Sequence, residues 1–208
     1  MVAIPDRICL FGGSFDPVHE GHLHIARAAQ AACRLSRVVF LPAACSPFKQ
    51  EQRTMFTDEQ RLELLQLAID GIPWAEVSPL DLQLPPPSWS WRLVEHYRRL
   101  APQAELYWLM GTDQWQALHR WARYDYLTCH LRFIVYHRDT PPEPRPGVRS
   151  HFISGVHPAS SSVIRAALQG EAPLPDGWLN NTVEARIRQW REGNRTGEIA
   201  GGNSSKRG

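Results

Sequence analysis

An apolar run, Ile8-Cys9-Leu10-Phe11, ends on Gly12-Gly13, and Asp16-Pro17 then leads into an Ala-rich stretch beginning at His19. A strand that stops on glycines and passes directly into a helix is a βα unit, and such units direct a chain towards a parallel sheet. The turn also carries chemistry. Free backbone N–H groups and the positive end of the helix dipole converge there, which is how a backbone holds a phosphate. Asp16 suits the N-cap and Pro17 the first helical position. His19 and His22 stand three apart on one face of the first turn. Two imidazoles beside such a cradle are hard to explain as packing.

The alternation continues downstream. Arg37–Leu41 reads as a strand ended by Pro42, and Thr57-Asp58-Glu59-Gln60 as a capping box opening a helix through Ile69. Glu76–Leu80 reads as a short strand and Ser88–Leu100 as a helix. Glu105–Met110 follows as a buried strand, Gln114–Trp121 as a helix, and Leu131–Tyr136 as a further strand. The pattern predicts an α/β fold in one domain over residues 1–192: a Rossmann-like, doubly wound, mainly parallel sheet with helices on both faces. In that architecture ligands bind beyond the carboxyl ends of the strands. Residues 193–208, GNRTGEIAGGNSSKRG, offer little to bury and are expected to form a disordered tail.

A net charge of +2 on 208 residues gives no field for nucleic acid or an anionic membrane. No apolar run is long enough to span a bilayer, and the first residues lack a signal-peptide core. Cys9, Cys33, Cys45 and Cys129 are scattered without a CxxC pair, which reads as reduced thiols in a cytoplasmic protein. Assembly into a homo-oligomer is compatible with the sequence.

Gly13-Ser14-Phe15-Asp16-Pro17-Val18-His19-Glu20-Gly21-His22 resembles, complete, the G-x-F-D-P-x-H-x-G-H signature of a nucleotidyltransferase superfamily. Ala159-Ser160-Ser161-Ser162-Val163-Ile164-Arg165 is similar to that family's I-S-x-T-x-I-R segment, with Ala and Ser in place of Ile and Thr. Physically, Ser160 or Ser161 can cap a helix there, Ser162 offers a hydroxyl, and Arg165 lies one turn on. Gly111-Thr112-Asp113 matches a G-x-D segment, with Trp121 in the position of a tryptophan that stacks on a pyridine ring. Read from the residues alone, Asp113 can also cap the following helix, and Trp121, one of eight tryptophans, is more often a core residue.

Together these segments resemble the nicotinate-nucleotide adenylyltransferases. Pro87-Ser88-Trp89-Ser90-Trp91 looks like the family's P-S-Y-T segment, with Trp89 for Tyr and Ser90 for Thr. The resemblance implies ATP and nicotinate mononucleotide as substrates, with Mg²⁺ carried on the ATP phosphates and no protein side chain as metal ligand. ATP would lie on Gly12, Gly13, Ser14, Phe15, His19, His22, Lys49, Ser160, Ser162 and Arg165; the nicotinate nucleotide on Trp89, Ser90, Gly111, Asp113 and Trp121. His19, His22, Lys49 and Arg165 would carry catalysis. The chain departs at Ser46-Pro47-Phe48-Lys49, where the family has P-P-H-K or P-P-H-R: the charge stays, but a third imidazole is missing. Nicotinamide mononucleotide or phosphopantetheine as acceptor, or a nucleotide-binding module without catalysis, are the alternatives.

Nucleotidyl transfer suits this residue set. The acceptor phosphate is already a nucleophile, so the protein must align two reactants and neutralise charge on the leaving pyrophosphate. Amides, imidazoles, Lys and Arg do this without a triad.

Overall fold

The computed structural model describes residues 6–44 and 54–201, the stretch 194–201 as backbone alone. Six strands form one sheet: β1 (Arg7–Gly13), β2 (Arg37–Pro42), β3 (Ala75–Val77), β4 (Glu105–Gly111), β5 (Arg132–His137) and β6 (Ser150–Ser154). Their order is β3-β2-β1-β4-β5-β6, and every neighbouring pair is parallel. The chain leaves β1 in one direction to build β2 and β3, then returns to β1's other edge with β4. The topological switch point therefore lies between β1 and β4, and the glycines that end β1 stand at its mouth.

Alternation along the strands divides the core. Cys9, Phe11, Val38, Phe40, Tyr107, Leu109 and Ile134 face α1 (Glu20–Cys33), α2 (Asp58–Ile69), α7 (Ser161–Gln169) and α8 (Asn181–Gly201). Ile8, Leu10, Val39, Leu41, Leu106, Trp108, Met110, Phe133 and Val135 face α4 (Ser90–Leu100), α5 (Thr112–Ala117) and α6 (Tyr124–His130). Period-two strands with both faces apolar need helices on both sides, and the doubly wound expectation is met.

The details differ where tertiary contacts decide. Asp16 is not the N-cap of α1. Its carboxylate accepts from the backbone N–H groups of Met55 (2.9 Å) and Phe56 (3.0 Å), so the helix starts later, with His19 as cap and Glu20 first. The predicted Glu76–Leu80 strand is Ala75–Val77, followed by a short helix, α3 (Leu80–Gln83). The predicted Gln114–Trp121 helix is α5 plus a 3₁₀ turn at Leu118–Arg120, and Trp121 lies beyond it in extended conformation. Strand β6 and helix α6 were not foreseen. Ser150–Ser154 carries only two apolar residues, as an edge strand can. Helix α8 continues to Gly201, past the Gly193 at which the tail was expected to begin.

Candidate active site

The end of β1 forms the floor of a cavity of about 200 Å³. Gly12, Gly13 and Ser14 lie at its base, and Trp89, Ser90, Trp108 and Trp121 are among its walls. A Cβ on Gly12 would stand 3.1 Å from the Trp108 ring, so the glycine lets strand and aromatic wall approach closely. Trp121 packs edge-on against Trp108, with ring centroids 5.6 Å apart. Trp89 caps α4 and Ser90 begins it. Two segments predicted to share a pyridine nucleotide thus meet across one cavity. Gly111 and Asp113 do not join them: both are exposed at the end of β4 and lie outside the lining.

Phe15 does not face this space. Its ring is buried, edge-on to Phe11 (5.4 Å) and to His22 (5.0 Å), and its φ is +46°. A left-handed conformation costs a non-glycine residue about 1 kcal/mol, which the packed ring offsets. Phe15 shapes the turn from below. Arg61 secures it from the side: fully buried, it donates to the Ser14 carbonyl (2.7 Å) and pairs with Asp58 (2.6 Å).

Past the turn, His19 and His22 stack with ring centroids 3.8 Å apart. The His22 Nδ1 accepts from the His19 backbone N–H (3.3 Å), so its Nε2 carries the proton and remains a donor. His19 Nδ1 is buried without a partner. A Cβ on Gly21 would meet the His19 ring at 2.9 Å and the Ala159 carbonyl at 3.3 Å, so only glycine lets α1 and the approach to α7 close on the imidazole. Burial, with His157 and Arg138 nearby, lowers the His19 pKa to about 4. Burial, with His19 beside it, holds His22 well below the ordinary imidazole value. Both are neutral at pH 7, each with one N–H to give.

The first N–H of α1 is not free: Glu20 donates it to the Trp178 carbonyl (2.9 Å), which narrows the predicted helix-end cradle. Helix α7 meets the same corner. Ser160 is its N-cap with no side-chain bond to the helix, its hydroxyl instead 2.8 Å from that of Ser162. Ser161 Oγ donates to the Pro17 carbonyl (3.1 Å). Arg165 donates to the Asp16 carbonyl (2.7 Å) and lies 3.7 Å from the Asp16 carboxylate. It is a half-buried cation held at the signature turn. Lys49 and Phe48 lie outside the described residues.

Sequence reasoning missed several wall and support residues. Trp108 is signalled only by strand alternation; Asp81 and Arg61 carry no local signal. His24 and His157, which have no motif context in the sequence, cluster with Tyr136. A Cβ on Gly155 would lie 2.7 Å from the Tyr136 hydroxyl and 2.9 Å from His24 Nε2, and the hydroxyl is buried without a partner. The His24 and His157 rings are 5.4 Å apart. Tyr136 belongs to β5, Gly155 and His157 follow β6, and His24 belongs to α1.

A family model described as cytidylyltransferase-like matches residues 10–167. A protein of Methylacidiphilum infernorum named as a probable nicotinate-nucleotide adenylyltransferase is 39% identical over 176 residues, spanning 81% of this chain and 83% of that one. A protein of the same description from Neisseria meningitidis is 34% identical over 175 residues, spanning 77% and 88%. Among solved structures, the Plasmodium falciparum nicotinic acid mononucleotide adenylyltransferase complexed with NaAD superposes with a TM-score of 0.72 at 17% identity, covering 89% of this chain and 96% of that one. At that identity the likeness speaks for the fold.

Proposed function

The chain belongs to the nicotinate-nucleotide adenylyltransferases, within the cytidylyltransferase-like family, and we propose that it transfers the adenylyl group of ATP to nicotinate mononucleotide, giving nicotinate adenine dinucleotide and pyrophosphate. One observation carries this reading: the glycine turn that floors the aromatic cavity runs directly into the stacked, neutral His19–His22 pair. A ring site and a phosphate site are joined by one turn, as a reaction between two nucleotides requires.

The nicotinate ring takes the cavity of Trp89, Trp108 and Trp121, and the phosphates lie over Gly12–Ser14 and the imidazoles. An oxygen of the acceptor phosphate attacks the α-phosphorus of ATP, and the bond to pyrophosphate breaks as the new P–O bond forms. His22 Nε2–H donates to a phosphate oxygen as charge builds, and His19 holds an adjacent oxygen. Arg165 exchanges part of its hold on Asp16 for the β- and γ-phosphates. Lys49, outside the described residues, has the same charge-neutralising role by the family resemblance. Among the described residues no group of three or more His, Cys, Asp or Glu is gathered to hold a metal ion. By the family resemblance, Mg²⁺ would enter on the triphosphate and would supply charge neutralisation there, and Ser160 and Ser162 would bind phosphate oxygens.

The test is a product assay with ATP and Mg²⁺, offering nicotinate mononucleotide, nicotinamide mononucleotide and phosphopantetheine separately and following pyrophosphate and the adenylylated product. Turnover confined to nicotinate mononucleotide is expected. Preference for another acceptor overturns the assignment of the ring cavity, and absence of turnover with all three despite ATP binding leaves a nucleotide-binding module.

A further inference from the structure

Asp81, on the short helix α3, is 3% exposed and lines the aromatic cavity. Its Oδ2 accepts from the Ala44 N–H (3.4 Å), just beyond β2, and Ser88 stands on the same cavity lining, close enough for its side chain to lower the carboxyl's pKa. Oδ1 is buried without a partner. The two arginines near it are occupied elsewhere. Arg92 donates to the carbonyls of Pro85 (2.6 Å) and Pro87 (3.4 Å), and Arg61 is bound to Ser14 and Asp58. A carboxyl so placed is a cost to the fold, since an apolar side chain of similar volume fills such a site at least as stably. Burial indeed raises its pKa.

The geometry offers a reason to keep it. Ser88 follows Pro85-Pro86-Pro87, which have no N–H groups and cannot anchor themselves through backbone donors. Side chains must hold the segment. Arg92 grips its carbonyls on one side, and on the cavity side Asp81, which holds the residue just beyond β2, lies beside Ser88 on the shared lining.

We propose that Asp81 is a positioning residue for the acceptor nucleotide, bridging the end of β2 to the Ser88–Ser90 wall so that this wall stands at the spacing a pyridine ring needs. The inference rests on the acceptor assignment above and adds a residue to it that neither the signature nor the resemblance points to. Asp81 touches no reacting atom.

The experiment measures KM for each substrate, kcat and Tm for the parent, Asp81→Asn, Asp81→Leu and Ser88→Ala, together with binding of nicotinate mononucleotide read from tryptophan fluorescence. Asp81→Asn and Ser88→Ala are expected to raise the acceptor KM about tenfold while the ATP KM stays within about twofold. Asp81→Leu is expected to keep or raise Tm yet weaken the acceptor to a similar degree, a divergence that a merely structural role does not produce. Acceptor KM and binding unchanged in folded Asp81→Asn overturn the proposal, as does a parallel rise in both KM values. The parent's own behaviour separates the two readings. A parent that turns over nicotinate mononucleotide beside unaffected variants refutes Asp81 alone; a parent that neither binds nor uses that nucleotide refutes the acceptor assignment and this inference together.

Discussion

The two ends of the site are built on opposite principles. The ring cavity is made of tryptophans on strand and helix ends, packed on one another before any ligand arrives, with Trp108 wedged against Gly12. The histidine end is polar: His19 Nδ1 is buried without a partner, and Arg165 rests on Asp16. Buried donors and acceptors left unpaired are rare in folded proteins, and the ring cavity has them too, in Trp108 Nε1 and Asp81 Oδ1. On the proposed assignment, the aromatic end would supply affinity equally to ground state and transition state, and the polar end would hold groups whose interactions strengthen only as charge moves.

The largest effect should come from the polar end. His22→Ala is expected to lower kcat about a hundredfold or more, as loss of an oxyanion donor does, with ATP KM changed a few-fold. Steady-state kinetics decide it; a loss confined to KM would make both ends binding sites and erase the contrast. Arg165→Ala should lower kcat/KM for ATP about thirtyfold, and Arg165→Lys should recover little, because a point charge cannot bind two phosphate oxygens as the planar fork does. At the aromatic end, Trp121→Ala should raise the acceptor KM about tenfold through loss of stacking, leaving ATP KM and kcat nearly unchanged. An equal rise for both substrates would mean that the cavity is shared differently from the assignment above.

Stability carries the same asymmetry. His19 has a folded pKa of about 4, below its unfolded value of about 6.5. Protons therefore bind the unfolded chain preferentially, and the stability that neutral His19 represents is present above pH 6.5 and lost as pH falls towards 4. His22, lowered in the same direction, adds to the loss. Denaturant titrations across that range should show the decline in the parent and a shallower one in His19→Asn. The smallest effect concerns Phe48, in a segment outside the described residues: Phe48→His should lower ATP KM about threefold by restoring an imidazole donor. An unchanged or higher KM would argue that no donor is missing.

Much of this was legible along the chain because it is local. Strand period, glycine turn, capping box and helix periodicity depend on residues a few positions apart, and the structure keeps β1, β2, α1, α2, α4 and β4 close to where those patterns place them. The signature was also readable, since ten consecutive positions carry its residue types. What the pattern could not carry was the use of each side chain. Asp16 has the composition of an N-cap, yet two N–H groups some forty residues away claim its carboxylate. Phe15 lies within the signature, yet its ring belongs to the core. Gly111 and Asp113 match a segment expected on the ring, yet lie outside the cavity.

The sequence by itself therefore determined the βα alternation, the parallel sheet and the glycine turn that leads into the histidine pair, because these follow from short-range sterics and periodic burial. Only the tertiary structure decided which groups remain free to act: that His22 exposes Nε2–H, that Arg61 holds the glycine turn, that Asp81 ties two walls of the cavity. Hydrogen-bond capacity is finite, and each donor or acceptor is spent on whichever partner the fold brings nearest, a choice made between residues distant in the chain.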